Sequence, residues 1–270
     1  MMQTSRTAAL VLLIAVALIA FGLGCSHESS VDPVTSSTES LTDINRESPD
    51  APLTTLEPGT FVETFDNYSN EGGWSFATDH DYVIETTGGN TDWYLHDNLV
   101  VSFAPHPETS LGVESIFTGN YKERNVTSVG IDLRAFDYDG VVTGRYLTLF
   151  LMNDNGTPLD VSDDWGAYYM SNIAIPSKYV PMKASVSVMT TNVPGWVSYD
   201  FAIDAQSRSL PEGWNKWTNS MQGGSKPVTG TWKDLMADVS YVRFFFGDPT
   251  TYYLLYTWDL GLDNPRISWE

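Results

Sequence analysis

The stretch Val197-Ser198-Tyr199-Asp200-Phe201-Ala202-Ile203 decides the fold. Apolar or aromatic residues alternate with small or charged ones, the period of a strand with one face buried and one face wet. Val129, Ile131 and Leu133 repeat the pattern against Asp132 and Arg134. Arg145–Met152 (RYLTLFLM) is apolar on both faces and reads as a central strand, and Val239–Phe246 and Tyr252–Leu260 are two more. Gly88-Gly89, Thr118-Gly119-Asn120, Asp139-Gly140 and Asn155-Gly156 supply turns that need positive φ.

Helical periodicity is confined to Trp232, Leu235, Met236 and Val239, where Thr231 and Asp234 resemble the ends of a capping box with Asp in place of the usual Glu. Many short strands with one or two short helices predict an all-β fold, a two-sheet β-sandwich or jelly roll. That pattern fills 59–270, which also holds all nine Trp and all 14 Tyr. A chain of that length can bury a substantial core.

Upstream the composition changes. Residues 26–58 carry Pro33, Pro49, Pro52 and Pro58, no aromatic residue, and seven acids against the single base Arg46. Such a segment buries too little apolar surface to offset its ordering entropy and is expected to be a disordered tether. Before it, Ala8–Gly24 is an unbroken run of 17 apolar or small residues behind Arg6. That is short for a membrane span and suits a signal segment, 1–24. The run ends in Leu23-Gly24-Cys25, with the only cysteine of the chain, and resembles the lipobox of bacterial lipoproteins, although Gly22 stands where that family usually has Leu. The resemblance implies lipidation of Cys25 and, with Ser26 next, an outer-membrane address. An ordinary secretory signal and a plain membrane anchor are the alternatives.

The 270 residues hold 34 acidic and 14 basic side chains, a formal charge of −20. Phosphate binding needs clustered Lys and Arg, so nucleic acid is excluded as a partner. An anionic membrane surface is excluded likewise, leaving the lipid anchor as the expected membrane contact. One Cys rules out an intramolecular disulfide framework and a Cys-based zinc cluster. No Gly-x-Ser-x-Gly elbow, His-Glu-x-x-His pair or phosphate-cradling glycine loop occurs.

Glu63-Thr64-Phe65-Asp66, Gly72-Gly73-Trp74-Ser75-Phe76, Val129–Arg134 and the ending Leu262-Asp263-Asn264-Pro265-Arg266-Ile267 resemble the opening, central and closing strands of galactose-binding-like jelly rolls. That group includes carbohydrate-binding modules and laminin-B-like domains. The resemblance implies a structural Ca²⁺ where first and last strands meet, with Glu63, Asp66 and Asp263 as its carboxylates. Asn153-Asp154-Asn155-Gly156 with Asp160, Asp163 and Asp164 reads more simply as a hairpin turn than as a second calcium loop.

Sugar sites combine flat aromatic faces with amide and carboxylate groups. Two stretches have that mix: Asn90, Asp92, Trp93, Tyr94, His96, Asp97 and Asn98, and Asp163, Asp164, Trp165, Tyr168, Tyr169 and Asn172. Trp74, Trp196 and Trp258 are assigned to the core. Tyr94 and His96 would also serve a polysaccharide lyase, but the basic residues that neutralise a uronate are scarce. The expectation is a surface-anchored, non-catalytic domain that binds a glycan, and a neutral glycan before an anionic one. A structural or adhesive domain with a surface-protein partner is the alternative, and a polysaccharide-degrading enzyme stands third.

Overall fold

The computed structural model describes residues 57–76, 82–90, 92–109, 115–138, 145–174, 179–181, 187–189, 195–218, 230–251 and 256–270. The expected signal segment, Cys25, nearly all of the tether and the Asp139-Gly140 turn lie outside them.

Within the described residues the strands are β1 (Gly59–Val62), β2 (Trp74–Phe76), β3 (Val83–Gly89), β4 (Asp92–Ser102), β5 (Pro107–Thr109), β6 (Val126–Tyr138) and β7 (Tyr146–Asn153). They continue with β8 (Trp165–Ala174), β9 (Tyr179–Pro181), β10 (Ser187–Met189), β11 (Val197–Ala202), β12 (Trp214–Thr218), β13 (Tyr241–Phe246) and β14 (Tyr256–Trp269). One sheet has the order β11-β6-β14-β4-β3, with β1 also paired to β14. The other runs β12-β8-β7-β13-β5-β2, and β9 pairs with β10 alone. This is the two-sheet β-sandwich expected from the sequence.

The alternation sets which side chains meet between the sheets. Val129, Ile131, Leu133 and Ala135 of β6 face Leu147, Leu149 and Leu151 of β7 and Val242, Phe244 and Phe246 of β13 in one core. Tyr199, Phe201 and Ile203 close one side of it, while Trp74 and Trp258 are buried within it as expected. At about 25 cal/mol per Å² of apolar surface, this interlayer burial is the main force holding the sheets together. The helix Trp232–Ala237 carries the expected capping box, with the Thr231 hydroxyl accepting from Asp234 N and the Asp234 carboxylate accepting from Thr231 N. Its Trp232, Leu235 and Met236 pack into the same core.

Candidate functional site on the outer face of the first sheet

In a strand with one face in the core, the intervening residues stand on the other. In the first sheet these are Glu85 of β3, Tyr94 and His96 of β4, Asp259 and Gly261 of β14, and Asp132, Arg134 and Phe136 of β6. Trp196, just before β11, joins them.

Three aromatic rings gather here. Tyr94 lies 5.6 Å from Phe136 and 5.3 Å from Trp196, ring centre to ring centre, and Phe136 lies 6.2 Å from Trp196. They converge over Gly261. A Cβ at that position would come within 2.7 Å of the Trp196 ring, 2.9 Å of Phe136 and 3.0 Å of Tyr94. Only glycine therefore lets the rings lie down on a central strand. The Trp196 indole N–H donates to the Gly88 carbonyl at 3.0 Å, which fixes its tilt.

Polar groups frame the rings. His96 sits 5.4 Å from both Tyr94 and Phe136. Its Nε2 is 2.8 Å from Asp259 Oδ1 and its Nδ1 is 3.3 Å from Glu85 Oε1. The Arg134 guanidinium lies 4.5 Å from the Phe136 ring centre, in a cation–π position. Arg134 Nε is buried without a hydrogen-bond partner among the described residues. The Tyr94 hydroxyl is held above its ordinary range, by burial first and then by the Glu85 and Asp259 charges, while Arg134 opposes the shift. It is therefore a neutral donor and acceptor at physiological pH.

The sequence-derived candidates divide. Tyr94 and His96 belong to this face. Trp93 and Asp97 point the other way: Trp93 packs against the core, edge-on to Tyr68, and Asp97 is fully buried. Asp164, Trp165 and Tyr168 lie on or beside β8 in the opposite sheet, so the two stretches do not form one site. Asp164 is buried and accepts a hydrogen bond from the Tyr241 hydroxyl at 2.6 Å. Burial raises the Asp164 carboxyl above its usual range, against the lowering effect of Tyr241. Trp165 packs inward and Tyr168 stands outward, 5.5 Å from Phe150.

The core assignment of Trp196 is corrected. Val197, Tyr199 and Phe201 take the inward positions, so the preceding residue faces out, and Trp196 is only partly buried. Phe136, Arg134, Glu85, Asp259 and Gly261 were missed as site residues. Their signal was strand parity, since Arg134 and Phe136 fall out of phase with Ile131 and Leu133.

The carboxylates expected to hold calcium are engaged otherwise. Glu63 accepts backbone N–H bonds from Phe65 at 3.2 Å and Gly72 at 2.8 Å. Asp263 accepts them from Asn90 at 2.6 Å and Asn264 at 2.7 Å, and Asp66 accepts from the Thr64 hydroxyl at 3.0 Å. Among the described residues no three His, Cys, Asp or Glu side chains are grouped as a metal site.

No protein-family model and no curated protein matches the chain. Among solved structures it is similar to the family 11 carbohydrate-binding module from Clostridium thermocellum in complex with a β-1,3-1,4-mixed-linked tetrasaccharide. That likeness has 10% identity over 77% of this chain and 95% of that one, at a TM-score of 0.37. It is also similar to an exo-β-agarase, with 13% identity over 78% of this chain and 25% of that one, at a TM-score of 0.40. The K1 cleaved adhesin domain of Lys-gingipain from Porphyromonas gingivalis W83 shares 12% identity over 78% of this chain and 99% of that one, at a TM-score of 0.36.

Proposed function

We propose that this is a non-catalytic carbohydrate-binding domain, held at the bacterial cell envelope by a lipidated Cys25 and a 25–58 tether. The observation that carries the reading is the convergence of Tyr94, Phe136 and Trp196 over Gly261, framed by Arg134, His96, Glu85 and Asp259. Trp196 and Phe136 are the partly exposed rings, whose faces suit the apolar side of a pyranose, with the buried Tyr94 supporting them, and the surrounding donors and acceptors suit its hydroxyls. All of these residues but Trp196 lie on strands, and Trp196 directly precedes β11, which pre-organises the site and lowers the ordering cost of binding. A neutral polysaccharide is the favoured ligand, because a polyanion would meet like charge on a chain of formal charge −20.

The test is retention of the full chain on immobilised neutral glucans and galactans beside a polyuronate, for wild type, Trp196→Ala and Phe136→Ala. Retention on a neutral glycan, lost in both variants at unchanged melting temperature, is the expected result. A wild type that no glycan retains, but that captures a surface protein, would replace this reading with the adhesive one.

A further inference from the structure

His96 of β4 touches a carboxylate on each of its two neighbouring strands. Its Nε2 lies 2.8 Å from Asp259 Oδ1 of β14, and its Nδ1 lies 3.3 Å from Glu85 Oε1 of β3. An ionised carboxylate only accepts, so each contact needs a proton on the ring nitrogen. Neutral imidazole carries one such proton and the imidazolium carries two. Both contacts are therefore satisfied together only in the charged form. The His96 side chain is 14% exposed, so water replaces little of a contact that is lost.

Every strand around the ring bears on that charge. From β3 comes Glu85, with the apolar Val83 in register with His96. From β14 comes Asp259, with Gly261 in register with His96. From β6 come Arg134 and Phe136, and the backbone register sets Asp137 opposite Asp259. On β4 itself stands Tyr94, whose hydroxyl stays neutral at physiological pH. Glu85 and Asp259 favour the imidazolium, and Arg134 works against it.

The same ring belongs to the aromatic platform. It lies 5.4 Å from both Tyr94 and Phe136, the two rings that meet Trp196. Removing one proton turns a nitrogen lone pair toward one of the two carboxylates, and that repulsion frees one side of the ring. An imidazole makes this change between about pH 5 and 8. We propose that His96 is a positioning residue whose second proton locks the Tyr94 and Phe136 rings, so that the face holds its ligand more tightly in mild acid than in mild alkali. The affinity part rests on the glycan reading; the ring locking does not.

The first readout therefore needs no glycan. Nuclear Overhauser contacts from the His96 ring protons to those of Tyr94 and Phe136 are measured in the full chain at about pH 5.5 and about pH 8. They should be strong in acid and weaken several-fold in alkali. Glu85→Gln should keep them at both values, because its amide nitrogen donates to an unprotonated Nδ1 and neutral His96 is then satisfied on both sides. The Glu85 side chain is 47% exposed, so this change leaves the packing alone. The second readout is retention on immobilised neutral glucans and galactans, expected to be several-fold greater in acid for wild type, with the difference lost in Glu85→Gln. Contacts that do not change with pH in the wild type, an equal change in Glu85→Gln, or glycan retention independent of pH would overturn the proposal. Retention on no glycan at either pH would instead reject the glycan reading, while the ring contacts alone decide the role of His96.

Discussion

Arg266 of β14 holds Asp200 of β11 at 2.7 Å although β6 runs between their strands. The side chain crosses over Gly130 of β6, where a Cβ would collide with Asp200 Oδ1 and stand 2.8 Å from Arg266 Nε. On the way it donates to Asp132 Oδ1 at 2.9 Å and to the Tyr199 carbonyl at 3.1 Å. One guanidinium therefore ties three strands together on the outer face, and glycine at position 130 leaves the path open.

Gly130→Ala is expected to destabilise the domain by about 1–3 kcal/mol, the usual cost of an added methyl that neighbours must move to admit. Chemical denaturation reads this as a lower midpoint at unchanged slope. A midpoint equal to the wild type would show that the clamp shifts aside at no cost.

Acid should loosen the same clamp. Burial works to raise the Asp132 carboxyl, but hydrogen bonds from Ser198, Asn90, Asn264 and Arg266 outweigh it and hold the group below its ordinary value. A carboxyl with a folded pKa below its unfolded pKa contributes stability that is present above the unfolded value, about 3.9, and is lost as pH falls through the folded one. Asp164 is shifted upward and acts in the opposite sense. Asp132→Asn should therefore flatten the fall in stability below about pH 4, whereas Asp164→Asn should not. Unfolding free energies measured across the acid range would decide it, and parallel curves for wild type and Asp132→Asn would refute it.

The tryptophans should separate by what their loss does. Trp93 and Trp165 pack against the core. Truncating a fully buried Trp costs about 3–5 kcal/mol, and these partly buried ones should lose a sizeable share of that. Trp196→Ala should leave stability nearly unchanged and abolish glycan retention. Melting curves set beside retention on the best glycan test this, and a Trp93→Ala protein that is stable but does not bind would reverse the assignment.

Gly261→Ala should act on the platform rather than the scaffold. Its methyl would enter the space occupied by the Trp196, Phe136 and Tyr94 rings and push them off the strand. We expect glycan affinity to fall by tenfold or more, about 1.4 kcal/mol, with antiparallel pairing to β4 and β6 retained. Affinity electrophoresis and far-ultraviolet circular dichroism give the two readouts, and unchanged affinity would show that the rings do not contact sugar.

The amide-loaded carboxylates of Glu63 and Asp263 predict superimposable melting curves in millimolar Ca²⁺ and in chelator. A site binding only the native state would add about 2.7 kcal/mol at a hundredfold excess over its dissociation constant. A rise in melting temperature of several degrees with Ca²⁺, removed by Asp263→Asn, would mean that these carboxylates bind the ion.

Much of the fold was legible along the chain because period-2 burial is local. Val197–Ile203, Val129–Leu133 and Arg145–Met152 fall on β11, β6 and β7, the first two with their inward residues on the expected parity and the third buried on both faces as expected. The Thr231–Asp234 capping box was legible for the same reason, since a cap is a contact across three positions. Parity also places Trp196 opposite Val197, whereas an aromatic at strand spacing is expected in the core, and the structure follows parity.

What no local pattern contains is adjacency. Tyr94, Phe136, Trp196 and Gly261 lie far apart in sequence and meet because β4, β14, β6 and β11 are laid side by side in that order. Pairing of strands distant in sequence is settled by interlayer packing and backbone hydrogen bonding across the whole sheet, not by any segment's own propensity. For the same reason the dense stretch from Trp93 to Asp97 divided, alternate residues going to core and surface. The chain thus specifies which residues face outward, and only the order of strands in the sheet decides which outward residues become one site.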